Sequence, residues 1–159
     1  MRKILIISMF ILSALSTVNA QFFKESDVDI YKKDVAKQAE SIVKENLDLT
    51  KDQAKIFWPI YNEYHKKTDA VLDEELKVLE DYLMNYYILD DEKAKELVVK
   101  SINLKIKRID LQKEYLSKMA EVLPATVVGK FYQIDNRINL MINQQSTDRI
   151  PLVRDQDKN

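Results

Sequence analysis

Apolar residues return every three or four positions along most of the chain, and no stretch between Ser26 and Ser146 alternates convincingly with period two. That spacing predicts four helices. The first covers 27–45, with Ser26 as N-cap and Val28, Tyr31, Val35, Ala39 and Ile42 on its apolar side. The second covers 51–87 and carries Phe57, Tyr61, Tyr64, Val71, Leu72, Leu76, Leu79, Leu83 and Tyr86 on one side. The third, 91–123, opens on Asp91 and Glu92, acids that suit the positive end of a helix dipole. It repeats through Val98, Ile102, Ile106, Ile109, Leu116, Met119 and Leu123. Pro124 fits a first helical position and opens a fourth helix through Val127, Phe131, Ile134, Ile138 and Met141. The expected fold class is all-α.

Helix length then bears on architecture. The second and third helices would run about 55 Å and about 50 Å at 1.5 Å per residue. A compact globule of roughly 139 residues is only about 37 Å across. An elongated four-helix protein built on a long antiparallel helical hairpin removes the conflict. Charge favours the same arrangement. Folding the chain back about Leu89 sets 69–81, with Asp69, Asp73, Glu74, Glu75, Glu80 and Asp81 against Lys77, opposite 97–109, with Lys100, Lys105, Lys107, Arg108 and no acid. Each exposed pair contributes only about 0.2–1 kcal/mol, yet opposite blocks disfavour shifted or parallel pairing.

The N-terminus has a different character. Arg2 and Lys3 precede an apolar run from Ile4 to Leu15, and Val18-Asn19-Ala20 offers small residues where a signal peptidase cuts. The run is shorter than the ~20 residues needed to span a bilayer. The expected organisation is therefore a signal peptide, 1–20, a single helical domain, 21–146, and a C-terminal tail, 147–159. Export would place the mature chain outside the inner membrane. In the tail, Ile150-Pro151-Leu152-Val153 cannot continue a helix and is expected to be extended, docking on the hairpin or on a partner.

Composition narrows the chemistry. The chain of 159 residues has one Gly, three Pro, one His and no Cys. These counts exclude a glycine-rich phosphate loop, a disulfide framework, a thiolate zinc site and a multi-histidine metal centre. Lys and Arg number 25 against 26 Asp and Glu, and removing Arg2 and Lys3 leaves 23 against 26. That balance gives no reason to invoke nucleic acid. The lone His65 has Asn62 three residues before it, where a di-iron helix would want Glu. No catalytic residue, cofactor or metal is expected, and the protein reads as a binder.

Two local features mark the start of the second helix. Thr50 followed three residues later by Gln53 forms a capping box, in which each side chain bonds the other's backbone N–H. Pro59, six residues further on, removes a helical N–H and crowds the carbonyl of Lys55, so a bend is expected there. Seven rings lie on this helix, too many for one narrow stripe. Trp58, Tyr61, Tyr82, Tyr86 and Tyr87 are candidates for a surface that takes apolar segments of other proteins.

Leu49-Thr50-Lys51-Asp52-Gln53 matches the LTxxQ motif of the periplasmic Spy and CpxP family, and the layout from Leu47 to Gln145 resembles that family. The FWPIY segment, 57–61, is more similar to divergent members found in Bacteroidetes. The resemblance implies a periplasmic, ATP-independent chaperone, a cradle-shaped homodimer that shields partly folded envelope proteins. It also allows a modulator of envelope-stress signalling that docks on a membrane sensor or anti-sigma factor.

Overall fold

The protein is described by a computed structural model covering residues 25–147 and 150–153, so the expected signal peptide and the last six residues lie outside the described part. Four helices follow one another: α1 Glu25–Asn46, α2 Lys51–Asn85, α3 Asp91–Ala120 and α4 Ala125–Thr147. No strand occurs among the described residues, and the fold is all-α. No helix among them is long and apolar enough to cross a membrane.

The helix ends follow from local chemistry. Ser26 lies inside α1, one residue past its start, so it is not the cap expected from the sequence. Pro59 stands inside an unbroken α2. It faces solvent, as does Lys55, so water can reach the carbonyl that Pro59 leaves without a helical donor. α2 stops at Asn85 rather than 87. The Asn85 side-chain amide donates to the Asp81 carbonyl and carboxylate, at 2.8 and 2.9 Å, an alternative to the helical ladder at that carbonyl. Asp90 caps α3 by accepting from the Lys93 N–H at 2.7 Å. α3 ends at Ala120, earlier than the expected 123, because the last turn tightens onto the Met119 carbonyl and Pro124 holds the residue before it out of the helical region. Pro124 itself stands one position before α4, where its carbonyl accepts from Val127 and Val128.

One core gathers all four helices. Ala39, Val43 and Leu47 come from α1 and its end, Phe57, Tyr61 and Tyr64 from α2, Tyr115, Met119 and Leu123 from α3 and its end, and Phe131, Ile134 and Ile138 from α4. Phe131 is the hub. Its ring lies 5.2 Å from Phe57, 5.9 Å from Tyr61 and 6.2 Å from Tyr64, all edge to face, the geometry that ring quadrupoles favour. Val71, Leu97 and Leu104 are buried outside this cluster, where α2 and α3 have only each other.

Cross-helix ion pairs set α3 antiparallel to α2. Glu63 meets Lys118 at 3.9 Å, Lys67 meets Glu114 at 3.5 Å, and Glu74 and Glu75 meet Lys107 and Arg108 at 2.7 and 2.6 Å, so from one turn to the next partners descend along α3 as positions ascend along α2. The complementary blocks thus face each other, with a shifted register. A fold about Leu89 would set Glu74 opposite Leu104, whereas its partner is Lys107. The turn and the Asp90 cap move the reversal point past Leu89.

The Glu75 and Arg108 side chains are the most enclosed of these four pairs, and Arg108 makes two parallel bonds to the carboxylate. A double-mutant cycle with Glu75→Gln and Arg108→Gln should give a coupling of about 0.5–1 kcal/mol in urea unfolding. The same cycle at Glu63 and Lys118 should give a value near zero.

Candidate functional site

The capping box is present in full. The Gln53 N–H donates to Thr50 Oγ1 at 3.3 Å and the Thr50 N–H donates to Gln53 Oε1 at 3.0 Å. Leu49 packs against the core. The five-residue motif therefore starts α2 and pins it to the bundle.

The five candidate aromatics separate into two places. Tyr61 is 4% exposed and belongs to the core, so it is no part of a binding surface. Trp58 is half-buried against the same core, edge to face with Phe57 and Tyr61, with the Lys44 ammonium 5.3 Å from its ring. Tyr82, Tyr86 and Tyr87 lie at the other end of α2 and its turn, with ring centroids 5.8 and 5.1 Å apart along the series.

A buried carboxylate was not foreseen. Asp135, 8% exposed, accepts at Oδ2 from Tyr64 Oη at 2.9 Å, Gln112 Nε2 at 2.7 Å and Asn139 Nδ2 at 3.2 Å. Burial raises its pKa, against the opposing effect of the Gln112 and Tyr64 hydrogen bonds and of the Arg108 and His65 charges. Its partners come from α2, α3 and α4, so its work is to join helices. Among the described residues no group of three or more His, Asp or Glu could hold a metal ion. His65 donates from Nδ1 to Asp69, 3.1 Å away on the next turn, and this bond raises its pKa against a smaller lowering by burial.

An open apolar stripe lies on α3, on residues that the sequence pattern places inside. Leu97, Leu104, Tyr115 and Met119 are the buried seam. Val98, Ile102, Ile106 and Ile109, which carry the apolar repeat, are 57, 49, 51 and 62% exposed. At 100° per residue they sit about 100–180° round the helix from that seam. Continuing the stripe, Ile109, Leu116 and Ala120 line an open groove of about 440 Å³ closed on its other side by Val128 and Tyr132 of α4. Lys95, Lys105 and Lys113 flank the stripe, and no ion pair engages them among the described residues. α3 is apolar on two sides, and periodicity alone cannot say which one faces α2. The signal that could have decided it was Arg108. It shares its face with Leu104 and Leu111 and was already expected to meet the acidic block.

No family model, no curated protein and no solved structure matches this chain.

Thr50→Ala should lower stability by about 1 kcal/mol in urea unfolding, the usual cost of an N-cap, with helical content at low denaturant unchanged. His65 supplies a pH signature. A histidine whose folded pKa is raised contributes stability that is fully present below its unfolded value of about 6.5 and is lost as pH rises through the folded value. The thermal midpoint of the parent should therefore fall as pH rises above 6.5. His65→Gln should remove that decline, and Asp69→Asn should shrink it. A parent midpoint that is flat over this window would contradict the assignment.

Proposed function

We propose that the protein works by holding apolar segments of other proteins against the exposed face of α3, as an ATP-independent chaperone of the kind that the Spy and CpxP resemblance implies. The observation that carries this reading is the stripe Val98, Ile102, Ile106 and Ile109, which runs into the groove shared with α4. Four half-exposed β-branched side chains in a row have no structural work to do on the outside of a helix, and contiguous apolar surface of this kind marks an interaction site. Lys95, Lys105 and Lys113 along its edges favour segments that bear acids beside their apolar residues.

In the same reading, α2 and α3 form an elongated hairpin bent at Pro59, the mature chain begins after Ala20 and works in the periplasm, and two copies make a cradle. Activity runs on binding energy alone. Much of the basic block is engaged within the chain, Lys107 and Arg108 with Glu74 and Glu75 and Lys100 with Glu96. Capture therefore rests mainly on apolar contact and depends only weakly on salt.

The test is light scattering of an unrelated aggregating protein without ATP. The parent should suppress aggregation at a few-fold excess, both in dilute buffer and at about 0.5 M salt, where charges beyond roughly 4 Å are screened. The pair Ile102→Gln and Ile106→Gln should raise the amount required by about thirtyfold, each Ile contributing roughly 1 kcal/mol of partial burial in the complex. Thr50→Ala should not change the amount required. No suppression by the parent would overturn the chaperone reading, and a single tight partner in a crosslinking experiment would point to the sensor-docking role in its place.

A further inference from the structure

The exposed stripe on α3 has a stricter order than its composition shows. Lys95, Val99, Ile102, Ile106, Ile109 and Lys113 follow one another in steps of four, three, four, three and four. That is the seven-residue repeat of a seam between helices. Its four apolar members are 48, 49, 51 and 62% exposed, so no helix of this chain covers them. At 100° per residue they occupy an arc of about 80°, the narrow seam of a two-helix contact. Lys95 and Lys113 stand on the same line and close it at both ends, about 27 Å apart along the helix. Lys105 borders the seam on one edge, beside Val98, and Asp110 on the other. Among the described residues no ion pair engages the three lysines.

Charge decides which helix fits. A second copy of the chain matches the apolar positions and fails on the lysines. Antiparallel pairing that sets Ile102 against Ile106 also sets Lys95 against Lys113 at both ends, because the spacing reads the same in either direction, and parallel pairing in register sets each lysine against itself. Like charges facing each other across a seam oppose its closing, whereas carboxylates at those two points would be attracted. We infer that the α3 stripe is a docking site for an amphipathic helix of another protein, with four apolar residues at the spacing of Val99, Ile102, Ile106 and Ile109 and an acidic residue one step beyond each end. The inference rests on the reading of this face as a site for other proteins, and it adds the form in which they bind. A helix pairs its own backbone groups and lies on an apolar seam without stranding them. An extended segment needs an outside ladder, and α3, whose N–H and carbonyl groups are paired along the helix, has none to give. The groove that Leu116 and Ala120 form with Val128 and Tyr132 continues the seam past Lys113, which leaves room for a longer helix. Affinity is moderate, because ordering a flexible segment into a helix offsets part of the contact.

The experiment titrates the intact protein into a labelled synthetic peptide of about 20 residues, just over five turns of helix. The peptide carries leucine at the four seam positions, glutamate at the two places that face Lys95 and Lys113, and alanine and glutamine elsewhere. Binding is read by fluorescence anisotropy and folding of the peptide by circular dichroism. It should bind with a Kd of roughly 1–100 μM and gain helix as it does so. Ile102→Gln with Ile106→Gln should weaken binding about thirtyfold. Lys95→Glu with Lys113→Glu, changes on the exposed face that leave the core untouched, should weaken it about tenfold, and a peptide with lysines in place of its glutamates should recover that loss. A proline at the centre of the peptide should remove the gain of helix and weaken binding at least tenfold. Equal affinity for the proline peptide, or no recovery by the lysine peptide, would overturn the inference. So would a dimer in sedimentation that Ile102→Gln with Ile106→Gln dissociates, since the face would then belong to a second copy. Binding to phosphatidylglycerol vesicles with none to the peptide would overturn it in favour of an anionic membrane. Aggregation suppression alongside equal binding of the proline peptide would leave the chaperone reading standing, and peptide binding without suppression would remove that reading and leave the docking site, so the two fail separately.

Discussion

A carboxylate in the middle of the bundle constrains the rest of the structure. Asp135 has too little solvent to hydrate a charge, and its three donors reach it from α2, α3 and α4. Tyr64 of α2 and Gln112 of α3 can meet at one oxygen of Asp135, beside Asn139 of its own helix, only if the three helices hold a single rotation and a single height relative to each other. Apolar contacts are less demanding. Phe131 would find rings to pack against after a slip of one turn along α2, because Phe57, Tyr61 and Tyr64 repeat at that spacing. A slip would leave Asp135 with only Asn139 of its own helix in place of three donors, at a cost of several kcal/mol. Packing thus supplies the stability of the bundle, and the buried acid selects its register.

The same division explains what the sequence disclosed. Helix number and type were legible because 3.6-residue periodicity over thirty positions overrides any local ambiguity, and a chain with one Gly has few places to break. The capping box was legible because both of its partners lie within one turn. Pairing between Glu74, Glu75 and the basic block was legible in kind, since blocks of opposite sign admit one antiparallel arrangement, but its register was not. Where the turn between α2 and α3 falls depends on Asn85 taking the Asp81 carbonyl and on Asp90 capping the next helix. Those choices are decided by single side chains.

The side of α3 that faces α2 is not legible in the periodicity, for a more general reason. A helix with two apolar stripes presents the same periodicity whichever one is buried. In α3 the outer stripe is the richer in Ile and Val, so counting apolar residues favours the wrong side. The inner seam is mixed: Leu104 and Leu111 alternate with Arg108 and Gln112, polar residues that a count discards. They are the residues that engage Glu75 and Asp135. Polar groups at a seam are expected to be paired, and finding their partners is a better guide to which face is inside than finding the most apolar face.

Partition of the aromatic residues follows from where α2 has company. Over its first half α2 meets α1, α3 and α4, and Phe57, Tyr61 and Tyr64 are enclosed. Toward its C-terminal end the buried residues contact only α3, and two helices cannot cover each other's surface. Rings there stay half open, as Tyr82 and Tyr86 do, and what reaches them must come from elsewhere in the chain or from another molecule. The tail does so by one backbone oxygen rather than by burying its leucine and valine. A contact made that way keeps α2 intact whether or not it forms. The contact lies outside the core cluster, so the bundle that Asp135 holds in register does not depend on it.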